Sequence, residues 1–255
     1  MTRPAERGRL FDTVAVDYDE VRPDYPDGLY AAIESMTGPL AGQCVVDLAA
    51  GPGTATRQLL GRGASVVAVE PGLPMISRLR ARTPDVAAVA GRAEALPLRD
   101  RTADLVCCAT AWHWVAVEPA LSEVRRVLRP GGHLALWWAN NMRDDRIAWE
   151  RAQAEVYRRW EVVGGSRPPG IVGVGPRDAA RHLRRRGLNV VVDTELRWTR
   201  TVPTDVHLRV LATHSDVLAL GGSAPQFLGE VAAALAPWPR VTERLWGPLV
   251  IARIG

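Results

Sequence analysis

Short apolar runs alternate with amphipathic stretches along most of this chain. Cys44–Val46, Ser65–Glu70, Val86–Ala90, Ala103–Thr110 and His133–Ala139 are strand-length runs. Ala103–Thr110 is continuous in apolar character, as a central parallel strand buried on both faces should be. Between the runs the period changes to that of helices. The pattern predicts helices over Gly28–Met36, Thr54–Gly61 and from Pro74, where proline suits a first turn. Glu118–Leu128 places Leu121, Val124, Val127 and Leu128 on one face, and Arg129-Pro130-Gly131-Gly132 then stops the helix. Strands alternating with helices predict a doubly wound α/β fold.

Beyond Asn140 the pattern is weaker. It predicts a helix over about Arg146–Trp160, a loop over Gly164–Gly175, a helix over Pro176–Arg186 and a strand near Asn189–Thr199. A helical insertion follows, with a helix around Gln226–Leu235, before a final strand over about Thr242–Ile254. Residues 1–10 are polar and arginine-rich and fall outside the pattern. No internal repeat and no low-complexity segment interrupts it.

The stretch CVVDLAAGPGTATR, Cys44–Arg57, carries the first chemistry. A strand ends on Asp47, a small-residue loop follows, and Thr54 opens a helix. That is the layout of a nucleotide-cofactor site in a βαβ unit. Thr56 stands where a dinucleotide fingerprint needs a small residue. A carboxylate beside the loop also repels a pyrophosphate. Asp47 instead suits a ligand with a cationic end and no phosphate, such as the ammonium of S-adenosylmethionine. Glu70 ends the next strand, seventeen residues beyond Gly53, and can accept hydrogen bonds from both ribose hydroxyls.

Four motifs then stand in order: DLAAGPGT from Asp47, VVAVEP from Val66, GRAEALPL from Gly91 and EVRRVLRPGGHLAL from Glu123. Together they resemble the class I S-adenosylmethionine-dependent methyltransferases, in particular the small-molecule branch with trans-aconitate methyltransferase-like enzymes. The resemblance covers about residues 10–140 strongly and the remainder loosely. It implies a Rossmann-like doubly wound sheet of seven strands, six parallel and the last antiparallel. An N-terminal helical cap (1–40) would cover a core (41–140), and 141–255 would complete a single domain with a lid insertion at about 200–236. Ala49 replaces the first glycine of the usual loop, with Gly51 and Gly53 retained.

The resemblance also distributes roles. Tyr18 and Arg22, within a Y-x-x-x-R-P-x-Y-P stretch, would reach the cofactor's methionine carboxylate, a task suited to a guanidinium fork. Met75 would lie against the adenine, while Ala93 and Glu94 would meet its amino edge. Thr110 ends the fourth strand at the cofactor and leads into Trp112-His113-Trp114. Ligands sit beyond the carboxyl ends of such strands, which sets His113 near the sulfonium between two aromatic walls. His113 is a candidate general base or pocket former. In the lid, His214 is a second candidate for base or substrate contact, and His207, two turns earlier, reads as a surface histidine.

Composition narrows the reading. A net charge of +4 could suggest nucleic acid, yet all 32 basic residues are arginine and they are dispersed. The cluster Arg181, Arg184, Arg185 and Arg186 reads as a solvated helix face. TAWHW follows the fourth strand, where nucleic-acid methyltransferases carry an N/D-P-P-Y/F motif. Three cysteines give no metal spacing and no disulfide framework. With no apolar leader and no membrane-length run, the chain reads as cytoplasmic, monomer or homodimer. The expected reaction is methyl transfer to a small-molecule acceptor, oxygen methylation in secondary metabolism first, with release of S-adenosylhomocysteine. Carbon or nitrogen methylation, a nucleic-acid methyltransferase and a non-catalytic cofactor-binding protein are the alternatives.

Overall fold

In the computed structural model, which describes residues 11, 13–162 and 174–254, the apolar runs become strands of one sheet. They are β1 (Cys44–Leu48), β2 (Ser65–Glu70), β3 (Ala87–Ala90), β4 (Ala103–Ala109) and β5 (Leu128–Trp137). Three more follow: β6 (Asn140–Asn141), β7 (Asn189–Pro203) and β8 (Arg240–Arg253). The polar segment 1–10 and most of the loop expected at 164–175 lie outside the described residues.

The order is β3-β2-β1-β4-β5-β8-β6, with β7 also on β8. β1 pairs in parallel with both β2 and β4, so the chain direction of travel reverses between β1 and β4. A crevice forms at such a switch point, beyond the strand ends. β8 runs antiparallel to β5 and to β7. The sheet has eight strands rather than seven because two residues, Asn140 and Asn141, pair with Trp246 and Leu245.

Strand parity sorts the core into two layers. Val46, Leu48, Val106 and Leu136 point to the face covered by α5 (Val117–Val127) and α7 (Ala179–Arg185). Val45, Val66, Leu105 and Ala135 point to the face covered by α2 (Asp27–Thr37), α3 (Thr54–Leu60) and α4 (Leu73–Arg82). A third apolar cluster joins α6 (Ala148–Arg159) to α8 (Thr204–Ala212), α9 (Ser215–Leu218) and α10 (Ala224–Leu235). Phe227 is fully buried there, with Tyr157 and Trp160 edge-on to its ring. α6 therefore packs with the insertion between β7 and β8 as one helical layer.

Two boundaries moved for physical reasons. The Arg-Pro-Gly-Gly turn was expected to precede β5, but it lies inside that strand, at a register shift opposite Ala103–Leu105. Gly131 takes φ +81°, and a Cβ on Gly132 would stand 3.0 Å from the Asp104 carbonyl, so the bulge needs both glycines. β7 runs to Pro203 because β8 pairs with it along its whole length, from Asn189–Arg253 to Pro203–Arg240.

The N-terminal helix α1 (Ala15–Val21) is bolted to the core by one carboxylate. Asp19 has a fully buried side chain and binds Arg57 of α3 at 2.9 Å and Arg78 and Arg82 of α4 at 2.7 and 3.0 Å. On its other side α1 meets the lid, where Asp17 and Glu20 both hold Arg209 at 2.6 Å. Downstream, Gln58 brackets the chain, accepting from Tyr25 N and donating to Tyr25 O.

Asp19→Asn removes the shared charge and leaves three guanidiniums facing a neutral amide. A broken buried ion pair costs about 3–5 kcal/mol, but these arginines are 23–49% exposed and water takes over part of the loss. The expected loss is about 2 kcal/mol, or about 4–8 °C in thermal unfolding. An unchanged midpoint would show that apolar contacts alone seat the cap.

Candidate active site

The loop after β1 is built on positive φ angles: Ala49 at +53°, Gly51 at +58° and Gly53 at +94°. Alanine pays a steric cost in this region that glycine does not. The loop is fastened to the end of β2. Ala50 N donates to Val69 O at 3.2 Å, and Glu70 accepts from Gly51 N at 2.9 Å and Gly72 N at 2.8 Å. Glu70 thus fixes two turns at the crevice, with its carboxylate beside the loop backbone.

Asp47 departs from its expected place. Its side chain is fully buried, accepts from Thr56 Oγ1 at 2.6 Å, and lies 3.6 Å from Cys107 Sγ. Parity turns it toward the layer under α3, so it supports the loop from beneath and does not face the cavity. Burial pushes its carboxyl up to about 6, against the opposing pull of the Thr56 and Cys107 hydrogen bonds. Met75 and Ala93 are also enclosed. Glu94 accepts from Ala116 N at 2.8 Å at the start of α5, with Arg92 3.6 Å away.

The strand ends, α1 and the lid enclose a cavity of about 670 Å³. Tyr18, Arg22, Thr110, His113, Trp114 and His214 all line it. Asp47, Ala49, Gly51, Gly53, Glu70, Met75, Ala93 and Glu94 do not. Trp112 was expected at the substrate, yet it is fully buried in the core with Leu121 and Val124. The tight turn Trp112–Trp114 sends its first tryptophan inward and its last to the cavity.

Thr110 takes φ +53°, an outlier for a β-branched residue. It is held there by N–H donation to Trp137 O at 2.7 Å, while its Oγ1 lies 3.0 Å from Tyr25 OH and accepts from Ala139 N. Arg22 lies over the Tyr18 ring and donates to Thr213 Oγ1 and O at 2.9 and 2.8 Å, tying the cap to the lid.

The imidazoles differ in their partners. His113 accepts from Trp138 Nε1 at 3.2 Å. An indole nitrogen only donates, so the ring nitrogen facing Trp138 carries no proton and the other one does. Burial lowers this imidazole to about 4, which keeps it neutral at pH 7. Burial first, then the nearby charges of Arg22, His207 and Arg143, hold His214 well below its ordinary value. His207 is not a surface residue: it is 2% exposed, 2.7 Å from both Glu243 Oε1 and Gln153 Oε1. Glu243 also accepts from Arg200 Nε at 2.5 Å.

Sequence reasoning missed Trp138, Trp246, Arg143, Arg177 and Glu243, all on the cavity wall. The Trp137-Trp138 pair at the end of β5 was the one available signal, since a strand end beside the crevice faces ligand. Among the described residues no group of three or more His, Cys, Asp or Glu could hold a metal ion. No described helix is long and apolar enough to cross a membrane.

A family described as a methyltransferase domain matches residues 46–136, from β1 to the end of β5. An uncharacterized methyltransferase of Mycobacterium tuberculosis is 44% identical over 149 residues. A structure assigned as a type II methyltransferase of Anaeromyxobacter dehalogenans superposes with TM-score 0.67 at 26% identity, covering 91% of this chain and 97% of that one. Over residues 46–136 the chain is similar to the methyltransferase domain family, and its fold is that of a solved methyltransferase structure. The mycobacterial match covers 58% of this chain and 59% of the relative, so less than two thirds of the curated relative is spanned. A more distant neighbour, at 13% identity and TM-score 0.56, is a Haemonchus contortus phosphoethanolamine N-methyltransferase in complex with S-adenosylhomocysteine, covering 98% of this chain and 59% of that one.

Asp47 carries a pH signature. Its folded value, about 6, lies above the ordinary 3.8, so the folded state binds the proton more tightly. Its contribution to stability is therefore present at low pH and lost as pH rises through about 4–6, by about 3 kcal/mol. Asp47→Asn removes this term: chemical denaturation at about pH 4 and pH 7.5 should show the variant gaining on wild type by about 3 kcal/mol at the higher pH. A constant difference overturns the assignment. Ala49→Gly relieves positive-φ strain and costs some unfolded-state entropy, for a net gain of about 0.5–1 kcal/mol in the same experiment. A loss would mean that the alanine methyl packs usefully.

Proposed function

We propose that this chain transfers a methyl group from S-adenosylmethionine to a small-molecule acceptor, with oxygen methylation in secondary metabolism as the specific reading. The observation that carries it is the cavity at the carboxyl end of β4, next to the switch point between β1 and β4 and closed by cap and lid. The named methyltransferase relatives and the S-adenosylhomocysteine complex of the Haemonchus protein support the cofactor.

The residues present fit that group. A Cβ at Gly51 would meet nothing within 4 Å, which leaves the loop open to a ligand there, while at Gly53 it would stand 3.0 Å from the buried Leu79 Cγ, so α4 packs against a bare backbone. Glu70 stands at the end of β2 with acceptor oxygens for a ribose, and Tyr18 and Arg22 stand at the cavity edge for a carboxylate. Asp47 acts from below, by holding Thr56 and with it the start of α3. When bound, the sulfonium supplies an activated methyl, so the protein's task is alignment and exclusion of water.

His113 presents an N–H to the cavity and orients the acceptor; its accepted bond from Trp138 uses the lone pair that a base would need. His214, neutral and on the lid, is the imidazole left to accept the acceptor's proton. A small molecule is favoured over nucleic acid by the pairing of the basic helix: Arg181, Arg184 and Arg186 bind Asp178, Asp193 and Glu118.

Calorimetric titration with S-adenosylmethionine and with NAD tests the cofactor. Micromolar binding of the first and none of the second is expected, and Glu70→Ala should weaken it about tenfold by removing charge-assisted hydrogen bonds. Binding of NAD, or an unchanged affinity in the Glu70 variant, overturns the site. Turnover is then read as S-adenosylhomocysteine formed over an acceptor panel. His113→Ala should lower turnover while cofactor affinity stays near wild type.

A further inference from the structure

The charged groups on the cavity wall are mostly spoken for. Arg22 binds Thr213, Arg197 binds Glu195 at 2.8 Å, and Glu243 is held by Arg200 and His207. Two arginines differ. The Arg143 guanidinium lies 4.6 Å from the Tyr157 ring centroid and that of Arg177 5.2 Å from the Trp246 ring centroid. Among the described residues no carboxylate lies within ion-pair range of either. Stacking satisfies the face of a guanidinium and leaves its N–H edge available for a bidentate acceptor.

Both stand on one wall. Arg143 follows β6, which pairs with β8 at Trp246 and Leu245, and Arg177 covers that same Trp246. Thr110, His113 and Trp114 stand at the end of β4. β6 pairs with β8 in the same register as β5, so Arg143 lies past the end of β5, with Arg177 beside it over Trp246 of β8. Trp114 and Trp138 flank the space, a surface suited to a flat molecule. The remaining cavity acid is Asp216, which accepts from Val217 N at 2.9 Å and has no arginine within ion-pair range among the described residues. Arg22 keeps its charge on neutral Thr213 and is assigned to the cofactor's carboxylate; the other two cations against one acid leave a single positive charge, which matches a monoanion better than a dianionic phosphate ester.

We propose that Arg143 and Arg177 receive a carboxylate of the methyl acceptor, a planar monoanion long enough to reach from that wall to the end of β4. This rests on the cavity being the acceptor site. Substrate selection then comes from the end of the molecule remote from the methylated atom, and the neutral amide of the same acid is a poor ligand.

The test titrates wild type, Arg143→Gln, Arg177→Gln and the double variant with conjugated aryl acids, such as 4-hydroxycinnamate, and with their amides and aryl phosphates. Quenching of the cavity tryptophans is the readout. Arg158→Gln, an exposed arginine outside the cavity, controls for net charge. The acids should bind wild type about tenfold more tightly than the amides, the worth of a charge-assisted pair. Each single variant should reduce the preference and the double variant should abolish it, with Arg158→Gln like wild type. S-adenosylhomocysteine, titrated in parallel, should bind all five proteins equally. Equal binding of acid and amide, failure of every acid to bind, a preference that survives the double variant, or tighter binding of the phosphate each overturns the proposal. Loss of S-adenosylhomocysteine binding with the acid preference intact would count against the cofactor reading and leave the anion site standing.

Discussion

A single buried carboxylate fixes where the N-terminal helix sits on the core, and that helix carries the contacts to the insertion between β7 and β8. Asp19 takes its three arginines from two helices of the cofactor-binding half, so α1 has one seat on the core. From that seat Asp17 and Glu20 reach Arg209, and Arg22 reaches Thr213. The lid insertion begins about 180 residues later in the chain, yet it docks on α1 through these contacts. Arginine suits such a junction because its fork bonds in several directions while staying charged. The chain has no lysine to compete for the role.

The cavity chemistry follows from the same enclosure. Burial keeps both cavity histidines neutral, because an imidazolium would need solvation that aromatic walls do not offer. Neutral imidazoles have distinct donor and acceptor nitrogens, and their neighbours choose between them. Trp138 makes that choice at His113. Beneath the glycine loop Asp47 is buried at the cost of a raised carboxyl, with Thr56 and Cys107 as partial compensation. Strain at Ala49 and Thr110 falls at the two strand ends that bound the crevice. Such strain persists only where the surroundings over-determine it.

The fold alone hosts many reactions, so methyl transfer rests on the site and on the named relatives. Most of the cavity wall lies C-terminal to the segment matched by the family.

The hydrophobic period by itself determined β1 to β5 and the helices between them, while the antiparallel last strand followed from the family resemblance. Continuous apolar runs can only be buried strands, and a glycine loop between a strand and a helix has one placement. The strand end pointed to Thr110, His113 and Trp114 and the family resemblance to Tyr18, Arg22 and His214, and the structure gathers all six around one cavity. Tertiary structure decided what no local pattern encodes. Strand parity and the packing of α3 turned Asp47 inward, and one tight turn hid Trp112 while exposing Trp114. His207 reads as a surface residue from its helix alone; Glu243 and Gln153, 36 and 54 positions away, make it a buried one. Side-chain partners at such separations depend on how helices dock, which a one-dimensional pattern does not contain.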